Sequence, residues 1–282
     1  ESTSNCVGWT GAQNNKVPNA DGTWPLTSRR INVLKYALIG NNGVGGVIRD
    51  TTLLPNKKIR LSWQAMHNNA GASGAGNVDS TTMKTNSMRV LNNTHRSNFI
   101  SFINGLDPGS GTPSHKMLSQ ADSYMRRPLG TNSPWAAEPG VTDLPRLACR
   151  RSYHILMTDG RWNSAEDGNG NELYPVPVTS KRDNATNLTL PDGMVYGGAT
   201  VADRAKSRLY RDSYGGSTLA DWAFYSWAVP AQTTGLTGTM QPAADYRKAP
   251  ATENFGTAAS PAILDRYWNP RYNPATWPHM VT

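Results

Sequence analysis

Apolar residues along the chain recur in two rhythms, helical spacing and short continuous or alternating runs. After Ser28, the positions Ile31, Leu34, Lys35, Leu38 and Ile39 fall on one helical face. The spacing predicts a helix capped by Ser28 and ended near Gly40, where Asn41-Asn42-Gly43 breaks it. Ser97 to Leu106, with Phe99, Ile100, Phe102 and Ile103, reads as a second helix. Thr112-Pro113 opens a third, running to about Arg127, with Thr as cap and Pro at the first helical position. Gly216-Ser217-Thr218 caps a fourth, carrying Leu219, Trp222, Ala223, Tyr225 and Trp227. Lys58 to Met66 alternates apolar and polar residues and reads as a strand. Tyr153-His154-Ile155-Leu156-Met157 is a short apolar run, the pattern of a strand buried on both faces. His279-Met280-Val281-Thr282 opens another strand. Helices alternating with such strands indicate an α/β fold with a parallel sheet.

Between these elements the chain is polar and turn-rich. Residues 1–27 form a polar arm anchored by Trp9 and Trp24, and 67–94, 128–148, 161–216 and 230–275 read as insertions on a single domain spanning 1–282. Gly (26) and Pro (19) both exceed average usage, which fits long surface loops. No apolar stretch is long enough to cross a membrane as a helix, and no signal peptide opens the chain, so it reads as mature or as a fragment. No internal repeat is present.

Composition then narrows the function classes. At 37% hydrophobic residues, with nine Trp and eleven Tyr, the chain can build a core, which excludes wholesale disorder. The net charge is +8, but the basic residues come in pairs (Arg29-Arg30, Lys57-Lys58, Arg126-Arg127, Arg150-Arg151) rather than runs. They read as scattered solvated charge, and nucleic acid is the less favoured partner. A low charged fraction of 17% with many polar and aromatic residues suits an exported bacterial surface protein. The two cysteines, Cys6 and Cys149, suit no metal site; they are one long-range disulfide or two buried thiols.

Candidate chemistry is sparse. Asp159 follows the Tyr153–Met157 run; a carboxylate just past such a strand is either a turn residue or an oxygen ligand for a hard cation at the sheet's ligand-binding edge. Thr112, in Gly109-Ser110-Gly111-Thr112-Pro113, is either a helix cap or a hydroxyl ligand. Asp167-Gly-Asn-Gly-Asn-Glu172 begins like a calcium loop, but Glu172 replaces the required Gly and Val178 cannot ligate, so it reads as a polar turn. Neither Gly-x-Ser-x-Gly nor His-Glu-x-x-His occurs, and the five histidines are scattered, with His154 a satisfied core or edge histidine.

Together these segments carry a resemblance. Cys149-Arg-Arg-Ser-Tyr-His-Ile-Leu-Met-Thr-Asp-Gly-Arg-Trp-Asn163 resembles the most recognisable segment of the PilC/PilY family, tip-associated adhesin and assembly proteins of type IV pili. Gly216–Trp227, Asn273–Val281, Ser28–Leu38 and Gly111–Ser114 resemble further segments of that family. The resemblance implies a von Willebrand factor A-like domain, a doubly wound sheet flanked by helices. It also implies a metal site holding Mg²⁺ or Ca²⁺, with Thr112 and Asp159 matching two of its three ligand segments. The third, Asp-x-Ser-x-Ser on the first strand, is absent, so the first strand and most of a later one are expected to come from elsewhere: the remainder of the same polypeptide or another chain. A Cys6–Cys149 disulfide would tie the arm to the sheet, worth about 4–5 kcal/mol for so long a loop. The implied function is a non-enzymatic module at the pilus tip, outside the cell, that binds minor pilins and contributes to adhesion and twitching motility through an unidentified receptor. The alternatives are an α/β hydrolase-like enzyme, or a surface protein that captures DNA.

Overall fold

The computed structural model describes residues 30–40, 45–49, 59–66, 82–106, 113–158, 174–197, 210–212, 216–254 and 256–282. Thr112, Asp159, Cys6, the Ser28 cap and the 167–172 turn lie outside them.

The first helix, α1, spans Arg30–Ile39 and stops at Gly40, whose φ of 69° is the left-handed conformation that glycine adopts freely. The alternating run yields a short strand, β1 (Arg60–Leu61), paired antiparallel with β2 (Arg89–Val90). Part of the expected 67–94 insertion is therefore framework: β2 lies in it, and Leu91 is buried. The second helix, α2, starts earlier than predicted and spans Asn93–Asn104, because the Asn92 side chain accepts the His95 amide and caps it. Here α2 lies on α1, and Ile39, Ile48, Trp63, Leu91, Phe99 and Ile103 form a core of their own.

The third helix, α3, spans Ser114–Met125 and packs on α4 (Leu219–Ala228). Helix α4 is capped as expected. Thr218 accepts the Asp221 amide while the Asp221 carboxylate accepts the Thr218 amide, a reciprocal capping box. Trp222 of α4 is core, as the spacing predicts. A buried polar clamp joins the two helices. Asp122 receives Arg126 at 2.6 and 2.9 Å and the Ser226 hydroxyl at 2.9 Å. The same guanidinium donates to the Pro230 and Val229 carbonyls and lies over the Tyr225 ring.

Strand β3 (Ser152–Tyr153) pairs in parallel with β8 (Met280–Val281), with Ser152 opposite Met280. Between them in sequence come the pairs β4 (Leu188–Thr189) with β5 (Val195–Tyr196), and β6 (Thr252–Asn254) with β7 (Ile263–Asp265), both antiparallel. A short helix, α5 (Ala244–Lys248), precedes β6. The described strands thus form four two-stranded sheets, of which β3–β8 is the parallel one.

Three sequence expectations require correction. The 128–148, 161–216 and 230–275 stretches are not mere surface insertions. Trp135 and Val176 enter the core with Leu118, Met125, Trp222, Tyr225 and Met280. Leu190, Tyr196 and Trp268 build a second cluster with Phe224, Ala228 and Trp277. Side chains in loops reach the core because backbone groups there find other partners: Arg60 donates to the Pro134, Ala136 and Ala137 carbonyls, and Arg150 to those of Trp135 and Ala136. For the same reason Arg60, Arg126 and Arg150 are not scattered solvated charge; burial, with Arg150 nearby, lowers the Arg60 pKa to about 10. Finally, the Tyr153–Met157 run is not buried on both faces. Tyr153, Ile155 and Met157 are 69%, 82% and 52% exposed. In extended chain successive side chains take opposite faces, and only the face carrying His154 and Leu156 turns inward.

Candidate functional site

Thr112 lies outside the described residues; those that follow it open α3. Pro113 occupies the N-cap position of α3, one residue before the predicted place, with φ −82° and ψ 61° and no side-chain hydrogen bond to the turn. Pro113, Ser114, His115 and Lys116 are all buried. The Ser114 hydroxyl is enclosed and has no hydrogen-bond partner among the described residues, and neither has the Gln64 Oε1. Gln64 is held there by its amide nitrogen, which donates to the Met117 carbonyl at 2.8 Å. Lys116 faces the Tyr174 ring, 6.0 Å from its centroid, and the Tyr174 carbonyl accepts the Trp222 indole N–H. The start of α3 is thus a buried polar corner between α4 and the segment at Tyr174, with two oxygens unsatisfied. Such oxygens suit a hard cation. Among the described residues, however, no group of three His, Cys, Asp or Glu side chains could hold a metal.

A second buried polar group lies at the start of α4. Asp183 is fully buried; its Oδ2 accepts the Asp212 amide at 2.7 Å and its backbone N–H donates to Asp221 Oδ1 at 3.0 Å. Its Oδ1 meets no donor among the described residues. Burial, then the neighbouring Asp221 and Asp212 carboxyls, push the Asp183 pKa up to about 7, against the pull of the Asp212 amide. The Thr218 hydroxyl donates to Asp212, closing the group. Sequence reading missed this cluster, because its members stand far apart in the chain and only Asp221, at the third position of a capped helix, carries a local signature.

The third feature is the outer face of the Tyr153–Met157 run. Pairing with β8 holds it on one side, where the His154 amide donates to the Val281 carbonyl at 2.7 Å. Behind it, β8 rests on α4, and the Ala231 amide bonds the Pro278 carbonyl. Tyr153, Ile155 and Met157 stand in a row on the other face. Arg151 borders the row, donating to the Gln241 carbonyl. Cys149 lies just before it and is exposed; its expected partner Cys6 and the expected ligand Asp159 are outside the described residues. The structure therefore brings none of the sequence-predicted site residues together among those described.

Comparisons with known proteins converge on one group. Over 226 residues, 80% of the chain, the sequence is 34% identical to the type IV pilus biogenesis factor PilY1 of Pseudomonas aeruginosa strain PAK. It is 34% identical to the same factor of strain PAO1 and 30% identical to that of strain UCBPP-PA14, again over 80% of the chain. The aligned region covers 16–17% of each of these relatives' own length. No family profile matches the chain, and no solved structure matches it.

Proposed function

The chain belongs with the PilC/PilY-type proteins of type IV pili, and from that premise we propose that it is a non-enzymatic module of the pilus machinery that binds other polypeptide through the outer face of the Tyr153–Met157 run. The observation that carries this reading is the exposure of the apolar side chains Tyr153, Ile155 and Met157, which follow directly on the β3–β8 pairing. Apolar rows of this kind mark interaction sites, and aromatic and large aliphatic anchors carry much of an interface's energy. The partners that fit are minor pilins of the tip complex, or a further segment of the same, longer polypeptide. The location is the cell surface at the pilus tip, where the module contributes to adhesion and assembly.

The fold we propose is the von Willebrand factor A-like one, with the parallel pair β3–β8 and helices α3 and α4 as its surviving signature. Within it Thr112 and Asp159 would hold Mg²⁺ or Ca²⁺, and the Ser114 hydroxyl, two residues on in sequence and without a partner among the described residues, supports oxygen ligation at the start of α3. A bound ion there would offer an open coordination position to a partner carboxylate. The exposure of Cys149 leaves it accessible to Cys6 for the proposed disulfide. DNA capture is the weaker reading, since Arg60, Arg126 and Arg150 face carbonyls and Asp122 rather than a common groove.

The test is Ile155→Asp in the full-length protein in its own bacterium, beside Val141→Asp, another exposed apolar position, as control. Ile155→Asp is expected to abolish co-purification with minor pilins and to cut the number of surface pili at least tenfold. Val141→Asp should leave both unchanged. Wild-type piliation in Ile155→Asp would overturn the proposal.

A further inference from the structure

A cleft of about 280 Å³ opens at the N-terminal end of α2, walled by Lys84, Arg89, Asn92, Thr94, His95 and Asn98. Among the described residues, no carboxylate lines it. Its electrostatics are one-sided. The twelve-residue helix has no acidic residue in its first turn, so the positive end of its dipole is uncompensated there. Asn92 caps the His95 amide, while the amides of Asn93 and Thr94, the first two of the helix, have no acceptor among the described residues. Arg89 is fixed on the same wall by the carbonyls of Lys84, Thr85 and Ser87.

The independent pointer is His95. Its ring is 1% exposed, and Nε2 lies 2.8 Å from the Leu61 carbonyl, so Nε2 carries the proton. That leaves Nδ1 as a buried lone pair with no partner among the described residues, an arrangement that costs stability unless something satisfies it. Charged groups approach His95 from β2 (Arg89) and from the segment before it (Lys84), and Arg96 follows it on α2. From β1 comes the Leu61 carbonyl, and from the segment after it the Trp63 ring, 4.6 Å centroid to centroid. Burial, with Arg89 adding to it, holds the imidazole neutral and its pKa below the ordinary range.

We propose that this cleft binds a small oxyanion of the phosphate class on the first amides of α2, on the wall that carries Arg89, and that His95 takes a proton from solvent at Nδ1 as the anion enters. The uncharged ring is the resting state, since a second positive charge beside Arg89 is stable only with a counter-charge in place. The volume exceeds what a bare tetrahedral anion fills, which favours a phosphomonoester over the free ion.

Sulfate is the first probe, because it stays a dianion across pH 5–8. Calorimetric titration of the whole chain is expected to give saturable binding that tightens about tenfold per pH unit as pH falls through the histidine range, the slope of one linked proton. Thr94→Glu places a carboxylate at the cleft mouth, where the helix dipole tolerates it, and should weaken binding at least tenfold with the fold intact. His95→Gln retains a donor for Leu61 and should bind sulfate with no pH slope. Tighter binding of glycerol 3-phosphate than of inorganic phosphate would identify an ester as the occupant; the reverse order would identify the free ion. No saturable sulfate binding, binding untouched by Thr94→Glu, or a pH slope surviving in His95→Gln would each overturn the proposal.

Discussion

At the scale of single residues, Asp183 is a position whose chemistry burial changes strongly. Its carboxyl titrates near pH 7 in the folded protein, against 3.8 ordinarily, so folding favours the protonated form. The stability this group contributes is fully present below about pH 4 and is lost as pH rises through about 7. Two buried histidines, His95 and His279, and the half-buried His154 act in the opposite direction. Burial lowers each, so their contribution is present above the ordinary histidine value and is lost as pH falls. The Asp183 effect is therefore read as a difference. Asp183→Asn should gain stability relative to the wild type as pH is raised from 5 to 8, in urea melts at matched ionic strength. A constant difference across that range would show that Asp183 is ionised throughout. Nothing near Asp183 in the sequence announces this behaviour, because the carboxyls of Asp212 and Asp221 meet it only in the folded chain.

Helices are the elements the sequence discloses best, and they are disclosed at their ends. Gly216-Ser217-Thr218 before an apolar run marks where α4 begins, with Thr218 the cap itself, and Gly40 marks where α1 stops. Thr218→Ala should cost about 1 kcal/mol in chemical denaturation. The α3–α4 clamp contributes more. Asp122→Ala leaves Arg126 facing buried carbonyls without its counter-ion, and should cost about 3–5 kcal/mol; Ser226→Ala, which removes one hydrogen bond, should cost about 1 kcal/mol. Leu118→Ala, at a fully buried site between those helices, should cost about 2–5 kcal/mol. Strands and loops were far less legible. A two-residue strand such as β2 or β4 has too little periodicity to register, and its partner decides its place. Trp135 lies in a Pro-rich stretch that reads as surface, yet its indole donates to the Met125 carbonyl and it is almost wholly enclosed. That burial depends on Arg60 and Arg150, which come from elsewhere in the chain to satisfy the loop's carbonyls.

Across the whole molecule, packing is distributed. One cluster of apolar side chains joins α1, α2 and the β1 region, and two others share α4. Helix α4 is the common wall: Trp222 and Tyr225 face one cluster, while Phe224 and Ala228 face the other. The segments resembling the PilC/PilY family include this wall and the strand beside it, which explains why the resemblance is carried by short stretches. The candidate site was less accessible. Thr112 and Asp159 were legible as candidates from their own motifs and as a pair only through that resemblance, whereas the exposed Tyr153–Met157 row and the cleft at α2 emerge only from the fold.

The parallel pair β3–β8 carries a consequence for how the chain reaches this state. Ser152 meets Met280 only after everything between them has been made and folded back. Contacts so distant along the chain form late and slow the search. As the chain emerges from the ribosome or an export channel, the Tyr153–Met157 segment must wait with both edges open, a state that invites aggregation. A holding chaperone that engages this segment until residues 280–281 arrive would shorten that exposure. Crosslinking from position 155 in nascent chains cut before and after residue 281 would locate the hand-over, with contacts to the chaperone expected only in the shorter ones.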